Sequence, residues 1–161
     1  MSEVEVLPKK THAKSLAKGL LAGLIGGLVA TAAKSFAEKI YPPRAHGEPE
    51  PPGVIVEKII GHRLEGAQKL AAMEAIHWSF GAMTGAAYGA LAEYYPAATA
   101  KDGAGFGMAL DSLTHGPVLP AIGLAEPEEL TFREKTSEMA THVVFGVVTE
   151  TVRRVVRKML G

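Results

Sequence analysis

At 161 residues the chain is the size of one domain, and its 17 basic side chains balance 17 acidic ones, so a zero formal charge argues against a nucleic-acid partner held by a strong basic field. Cysteine is absent, which removes disulfides, zinc fingers, thiol nucleophiles and iron–sulfur clusters. Apolar residues make up 47% but aromatics only 6%, so an interior must be assembled from small side chains, and close helix packing is implied.

Residues 1–18 are polar, carry Lys9, Lys10, Lys14 and Lys18, and read as a flexible basic arm ahead of a single helical domain over 19–161. A cleaved signal peptide is not expected, because the first apolar run begins only at Leu16 and no small-residue cleavage site precedes a polar mature chain. From Gly19 the run is interrupted only by Lys34, whose long stem can snorkel near a span's end, which predicts a first membrane span over about 19–38. The prolines between Tyr41 and Gly53 then forbid regular structure. Val54, Ile55, Ile59, Ile60, Leu64 and Ala67 recur at helical period among charges, which predicts an additional amphipathic helix lying on a surface.

A second apolar helix is expected over 70–94, stopping before Pro96, with Tyr94 and Tyr95 where a membrane interface favours aromatic rings. A third runs over 103–125 and should be kinked or broken at Pro117 and Pro120. After an acidic turn at Glu126, Glu128 and Glu129, the fourth covers 134–158 and ends in basic residues.

The first two spans share a small-residue pattern. Gly19, Gly23 and Gly27, and again Gly81, Gly85 and Gly89, form overlapping GxxxG steps, a glycine zipper. Each glycine costs a soluble helix about 1 kcal/mol against alanine. In lipid the same residues let backbones approach and van der Waals contact accumulate. The expected fold is therefore all-α, a four-helix transmembrane bundle with the extra surface helix. A glycine-rich soluble bundle is the alternative, favoured by a mean hydropathy of only +0.13 and by the short apolar centre of the fourth segment. An even number of spans with basic ends places both termini on the cytoplasmic side.

Three of these segments carry a carboxylate and a histidine three or four residues apart: Glu74 with His77, Asp111 with His115, Glu138 with His142. Such pairs share a helix face. An unpaired Asp111 inside a span would cost about 2.5 to 3.5 kcal/mol, so a partner is expected, Lys34 or His142 among them. Glu138, His142 and Glu150 keep to one stripe with Gly146, where a neighbouring helix or water column could approach. An imidazole titrating near pH 6.5 beside carboxylates suits a proton relay. The plainer reading puts Glu138 and Glu150 at the two ends of the span and makes His142 a hydrogen-bonded core residue.

The strings AGLIGGLVATAAK followed by YPPR, AYGALAEYYP, GFGMAL leading to HGPVLPAIGL, and SEMATHVVFGVVTETVRR together resemble the YagU-like family of small bacterial inner-membrane proteins, a domain family without an established activity. The resemblance implies a multi-pass inner-membrane protein, with a link to acid tolerance in one branch. Residue by residue it reaches His115, Pro120, Glu138, His142, Glu150 and Arg153, and leaves Glu74 and His77 outside.

No Walker loop, dinucleotide fingerprint or HExxH motif is present, and Asp111, Ser112 and His115 on one helix cannot converge on one substrate atom, so no enzyme is expected. The expected role is acid or ion homeostasis without a cofactor, through a buried cluster of Asp111, His115, Glu138 and His142, joined by Glu150. Two rivals stand beside it. One is a bundle that binds iron, manganese or zinc through Glu74, His77, Asp111, His115, Glu138 and His142. The other is an accessory subunit whose glycine faces and basic tails dock a second copy or another membrane protein.

Overall fold

The computed structural model describes residues 14–43, 51–61, 63–116, 121 and 130–161, and the regular elements among them are all helical. Helix α1 spans Leu16–Ile40, α2 Pro51–Ile60, α3 Gly66–Tyr94, α4 Ala104–Thr114 and α5 Phe132–Met159; a 3-10 segment, Pro96–Gly103, leads from α3 into α4. Residues 1–13 of the basic arm, and Pro117 and Pro120 with the end of the third apolar stretch, lie outside the described residues.

Local chemistry sets the helix ends. Ser15 caps α1, its hydroxyl accepting from the Lys18 amide at 3.4 Å, so the helix starts ahead of Gly19; Pro42 and Pro43 follow its end. The stretch expected as one amphipathic helix is divided: α2 stops where Gly61 turns left-handed at φ +79°, and Gly66 opens α3. Before α4, Lys101, Asp102 and Gly103 are all left-handed, at φ 52°, 54° and 90°. An L residue there costs about 1 to 2 kcal/mol. Arg154 donates to Asp102 Oδ1 at 2.8 Å and holds that bend, while Gly103 is required because a Cβ would come within 2.7 Å of Glu150 Cβ. Thr131 and Glu134 form a capping box at the head of α5, a T-x-x-E signal the sequence carries plainly.

Helix α1 is central, packed on α3 along one side and α5 along another; α4 and the 3-10 segment lie on α5, and α2 lies on α3. The two glycine ladders meet antiparallel, Gly19 opposite Gly89, Gly23 opposite Gly85, Gly27 opposite Gly81. A Cβ on Gly19 would stand 2.8 Å from the Gly89 carbonyl oxygen, and one on Gly85 2.6 Å from Gly27 Cα. These glycine faces are spent on each other, so within the described fold they are not surfaces for another protein. Gly26 opens α1 toward α5, where a Cβ would reach Thr149 O at 2.6 Å.

The apolar core is small: Ala30, Leu110 and Phe145, with Phe106 and Val148 against them and Tyr88 stacked on Phe106 at 4.2 Å. Most of the buried side chains among the described residues are polar. On α5 the buried stripe is Glu134, Ser137, Glu138, Thr141, His142, Phe145, Thr149, Glu150, Arg153 and Arg157, with Glu134 1% and Glu150 0% exposed. Large apolar side chains point out instead, among them Leu20, Leu24, Phe36, Phe80, Leu91, Leu113 and Val155. Among the described residues one helix, Leu16–Ile40, is long and apolar enough by composition to cross a membrane.

Candidate functional site

Helices α4 and α5 approach closely because glycines face each other: a Cβ on Gly146 would lie 2.6 Å from Gly107 N. That contact draws the last turn of α4 onto the first half of α5. Asp111 and His115 from α4 thus meet Glu138 and His142 from α5, and one ligand-capable atom from each of the four lies within 4.8 Å of all the others. His115 Nε2 stands 3.5 Å from Glu138 Oε2, and His142 Nδ1 stands 3.5 Å from Asp111 Oδ1 and 3.9 Å from Glu138 Oε2. His115 Nδ1 is 3.8 Å from Asp111 Oδ1, and the two imidazoles meet edge to face at 4.9 Å. Asp111, Glu138 and His142 are buried and His115 is half-buried.

Hydrogen bonds outside the cluster orient both rings. The Thr114 hydroxyl has one proton and donates it to Leu110 O at 2.9 Å, so its 2.9 Å contact with His115 Nδ1 requires the ring N–H to donate. Neutral His115 therefore turns an Nε2 lone pair toward Glu138. His142 Nδ1 lies 2.9 Å from the Glu138 backbone oxygen, an acceptor only, so that nitrogen carries the proton of the neutral ring. Asp111 Oδ1 is buried and accepts no hydrogen bond among the described residues.

A cavity of about 690 Å³ has His115, Glu138 and His142 on one side and Lys34, Glu38, Glu74 and His77 among its other lining residues. Lys34 pairs with Glu38 one turn along α1. Ser35 Oγ lies 3.3 Å from His77 Nε2, and the exposed Glu74 carboxylate accepts from Trp78 Nε1 at 2.9 Å. Of the six residues that the metal-binding alternative names, the structure brings four together, Asp111, His115, Glu138 and His142. Glu74 and His77 do not join because the glycine ladder holds only the second half of α3 against α1, and the cavity intervenes beside its first half.

Glu150 also parts from the group. It lies eight residues beyond His142, about 12 Å along the axis, and enters a second buried cluster. There it accepts from Arg153 Nε at 2.6 Å, Arg154 Nε at 2.6 Å and Tyr88 Oη at 2.9 Å. Near the same end, Arg157 grips Glu93 with bonds of 2.6 to 3.0 Å, the Ser15 amide donates to Glu93 at 3.0 Å, and Lys18 donates to the carbonyls of Leu160 and Gly161. Sequence reasoning missed Thr114, Tyr88 and Glu93. The Glu150 to Arg153 spacing was readable on one helix, whereas partners from other helices leave no local signal.

Fold and site define a class: an all-helical bundle built on glycine contacts, with buried charge and a compact Asp, His, Glu, His cluster. The chain belongs to the DUF1440 family, described as a protein of unknown function, whose model matches residues 28–151 and so includes all four cluster residues. No curated protein and no solved structure matches the chain.

Proposed function

We propose that the protein is a multi-pass integral protein of the bacterial inner membrane, and that it serves acid or ion homeostasis, without catalysing a reaction, through Asp111, His115, Glu138 and His142. Four spans, formed by α1, α3, the apolar stretch that begins with α4, and α5, and two cytoplasmic termini belong to this reading, as does the likeness to the YagU-like family.

The placement of polarity carries it. In water a bundle gains stability by hiding Leu, Phe and Met and leaving Glu and Arg wet. Here Leu20, Leu24, Phe36, Phe80, Met83 and Leu113 are exposed while Lys34, Glu138, Glu150, Arg153 and Arg157 are buried. Lipid rewards that arrangement, because intramembrane charges are retained when they face inward and pair. In the middle of α5 the charges, Glu138 and Glu150, face inward, and the exposed ones, Arg133, Lys135, Arg154 and Lys158, stand toward its two ends, so the outer side between them is uncharged, with Val144 and Val147 partly exposed.

Washing membranes with alkaline carbonate tests the solvent: the protein is expected to stay until detergent is added, and release by carbonate overturns the reading. For the cluster, ion flux into proteoliposomes should be lost in His115→Ala and Glu138→Gln with insertion unchanged. Wild-type flux in both variants removes the cluster from the function.

A further inference from the structure

We propose that Asp111, His115, Glu138 and His142 bind one divalent first-row transition cation, which deepens the ion-handling reading above and rests on it for its physiological meaning. With one nitrogen from each ring, His115 Nε2 and His142 Nδ1, the separations from Asp111 Oδ1 and Glu138 Oε2 include 3.5, 3.5 and 3.9 Å, all longer than the 2.7 to 3.2 Å of a hydrogen bond. They approach the edge, about 3.3 Å, of a tetrahedron whose bonds to a metal are about 2.0 to 2.1 Å. Shifts of a few tenths of an ångström close these three, and since one ligand-capable atom from each of the four lies within 4.8 Å of the others, movements of up to about 1.5 Å close the rest.

Three further observations point to a cation. Asp111 Oδ1 is buried, turned into the cluster, and receives no hydrogen bond among the described residues. The Thr114 hydroxyl fixes His115 in the tautomer whose Nε2 lone pair faces Glu138, the outer support that metal-binding histidines have. Two buried carboxylates offer oxygen ligands, and Lys34, which lines the same cavity, pairs with Glu38. A single divalent cation balances both carboxylates at once. His142 joins through Nδ1 by changing tautomer, its proton moving to Nε2 as the bond to the Glu138 backbone oxygen is given up for the metal. Two nitrogens and two oxygens with no thiolate suit zinc, iron(II) or manganese(II).

The test uses the full chain in detergent, stripped over a chelating resin and titrated with Zn(II) and with Co(II), whose visible absorption reports its coordination. One equivalent of Co(II) is expected, displaced by Zn(II). Asp111→Asn and Glu138→Gln should weaken binding by more than about 100-fold. Thr114→Val keeps the shape of the side chain and removes only the outer hydrogen bond, so it should weaken binding about 10- to 100-fold while circular dichroism and elution volume stay unchanged. Glu74→Gln should bind as wild type. Absence of stoichiometric binding in the wild type, or wild-type affinity in both Glu138→Gln and Thr114→Val, overturns the site. Cluster-dependent flux in metal-free protein, with no metal bound, would sink this inference alone; tight binding by a protein that carbonate releases would sink the membrane reading alone.

Discussion

Replacing Gly85 with alanine should destabilise this protein, although every helix-propensity scale predicts the reverse. Propensity alone favours alanine by about 1 kcal/mol. In the α1/α3 contact, however, the new Cβ would stand 2.5 Å from Gly23 O and 2.6 Å from Gly27 Cα, where about 3.5 to 4.0 Å is the optimum. Both atoms are backbone, so no side chain can swing aside and the helices must separate by about 1 Å. A gap of that size forfeits a quarter to a half of each contact's attraction, and the loss extends to the Gly19/Gly89 and Gly27/Gly81 steps that share the ladder. Overpacking of this kind costs about 1 to 3 kcal/mol, and rigid backbone on both sides argues for the upper end, so the net loss is about 2 kcal/mol after the propensity gain. Gly105→Ala is the internal control. Its Cβ would find only Ala100 O, at an ordinary 3.5 Å, so up to about 1 kcal/mol of stabilisation is expected. Reversible unfolding in mixed micelles, with helicity as the readout, measures both. Shifts of the same sign would refute the ladder argument.

Other consequences are as direct. Glu150→Gln leaves the buried Arg153 guanidinium without its counter-charge and should cost about 3 to 5 kcal/mol in the same unfolding assay, whereas Arg154→Ala, removing a half-exposed partner, should cost about 1 kcal/mol or less; equal losses would contradict the described burial. Thr131→Ala dismantles the capping box and should lower stability by about 1 kcal/mol, with faster amide exchange confined to the first turn of α5. Trp78, the one tryptophan in the chain, is 38% exposed on α3, so brominated lipids should quench its fluorescence more strongly than aqueous iodide; the opposite order would argue for water outside that helix.

Much of this architecture is legible in one dimension. The apolar runs, the prolines at 42, 43 and 96 and the two GxxxG series mark α1 and α3 and anticipate a close contact, because helix ends and small-residue ridges are local properties of the chain. The pairs Asp111/His115 and Glu138/His142 are visible for the same reason: a four-residue step has one geometric meaning on a helix. The capping box at Thr131 is equally legible, as a T-x-x-E step at the head of α5.

What a linear pattern cannot supply is which helix faces which. Glu74/His77 and Glu138/His142 are indistinguishable as spacings, yet one borders a cavity beside α1 and the other closes a four-residue cluster. The difference comes from Gly107 and Gly146, which bring α4 and α5 near enough for side chains to meet, whereas no glycine contact holds the first half of α3 so near. Glu150 shares a stripe with His142 but belongs to Tyr88 and Arg153, since two helical turns along one axis outdistance any side chain. Residue type and period are written in the covalent chain; the company each polar group keeps is set by the distance between helix backbones, which arises only when the bundle packs.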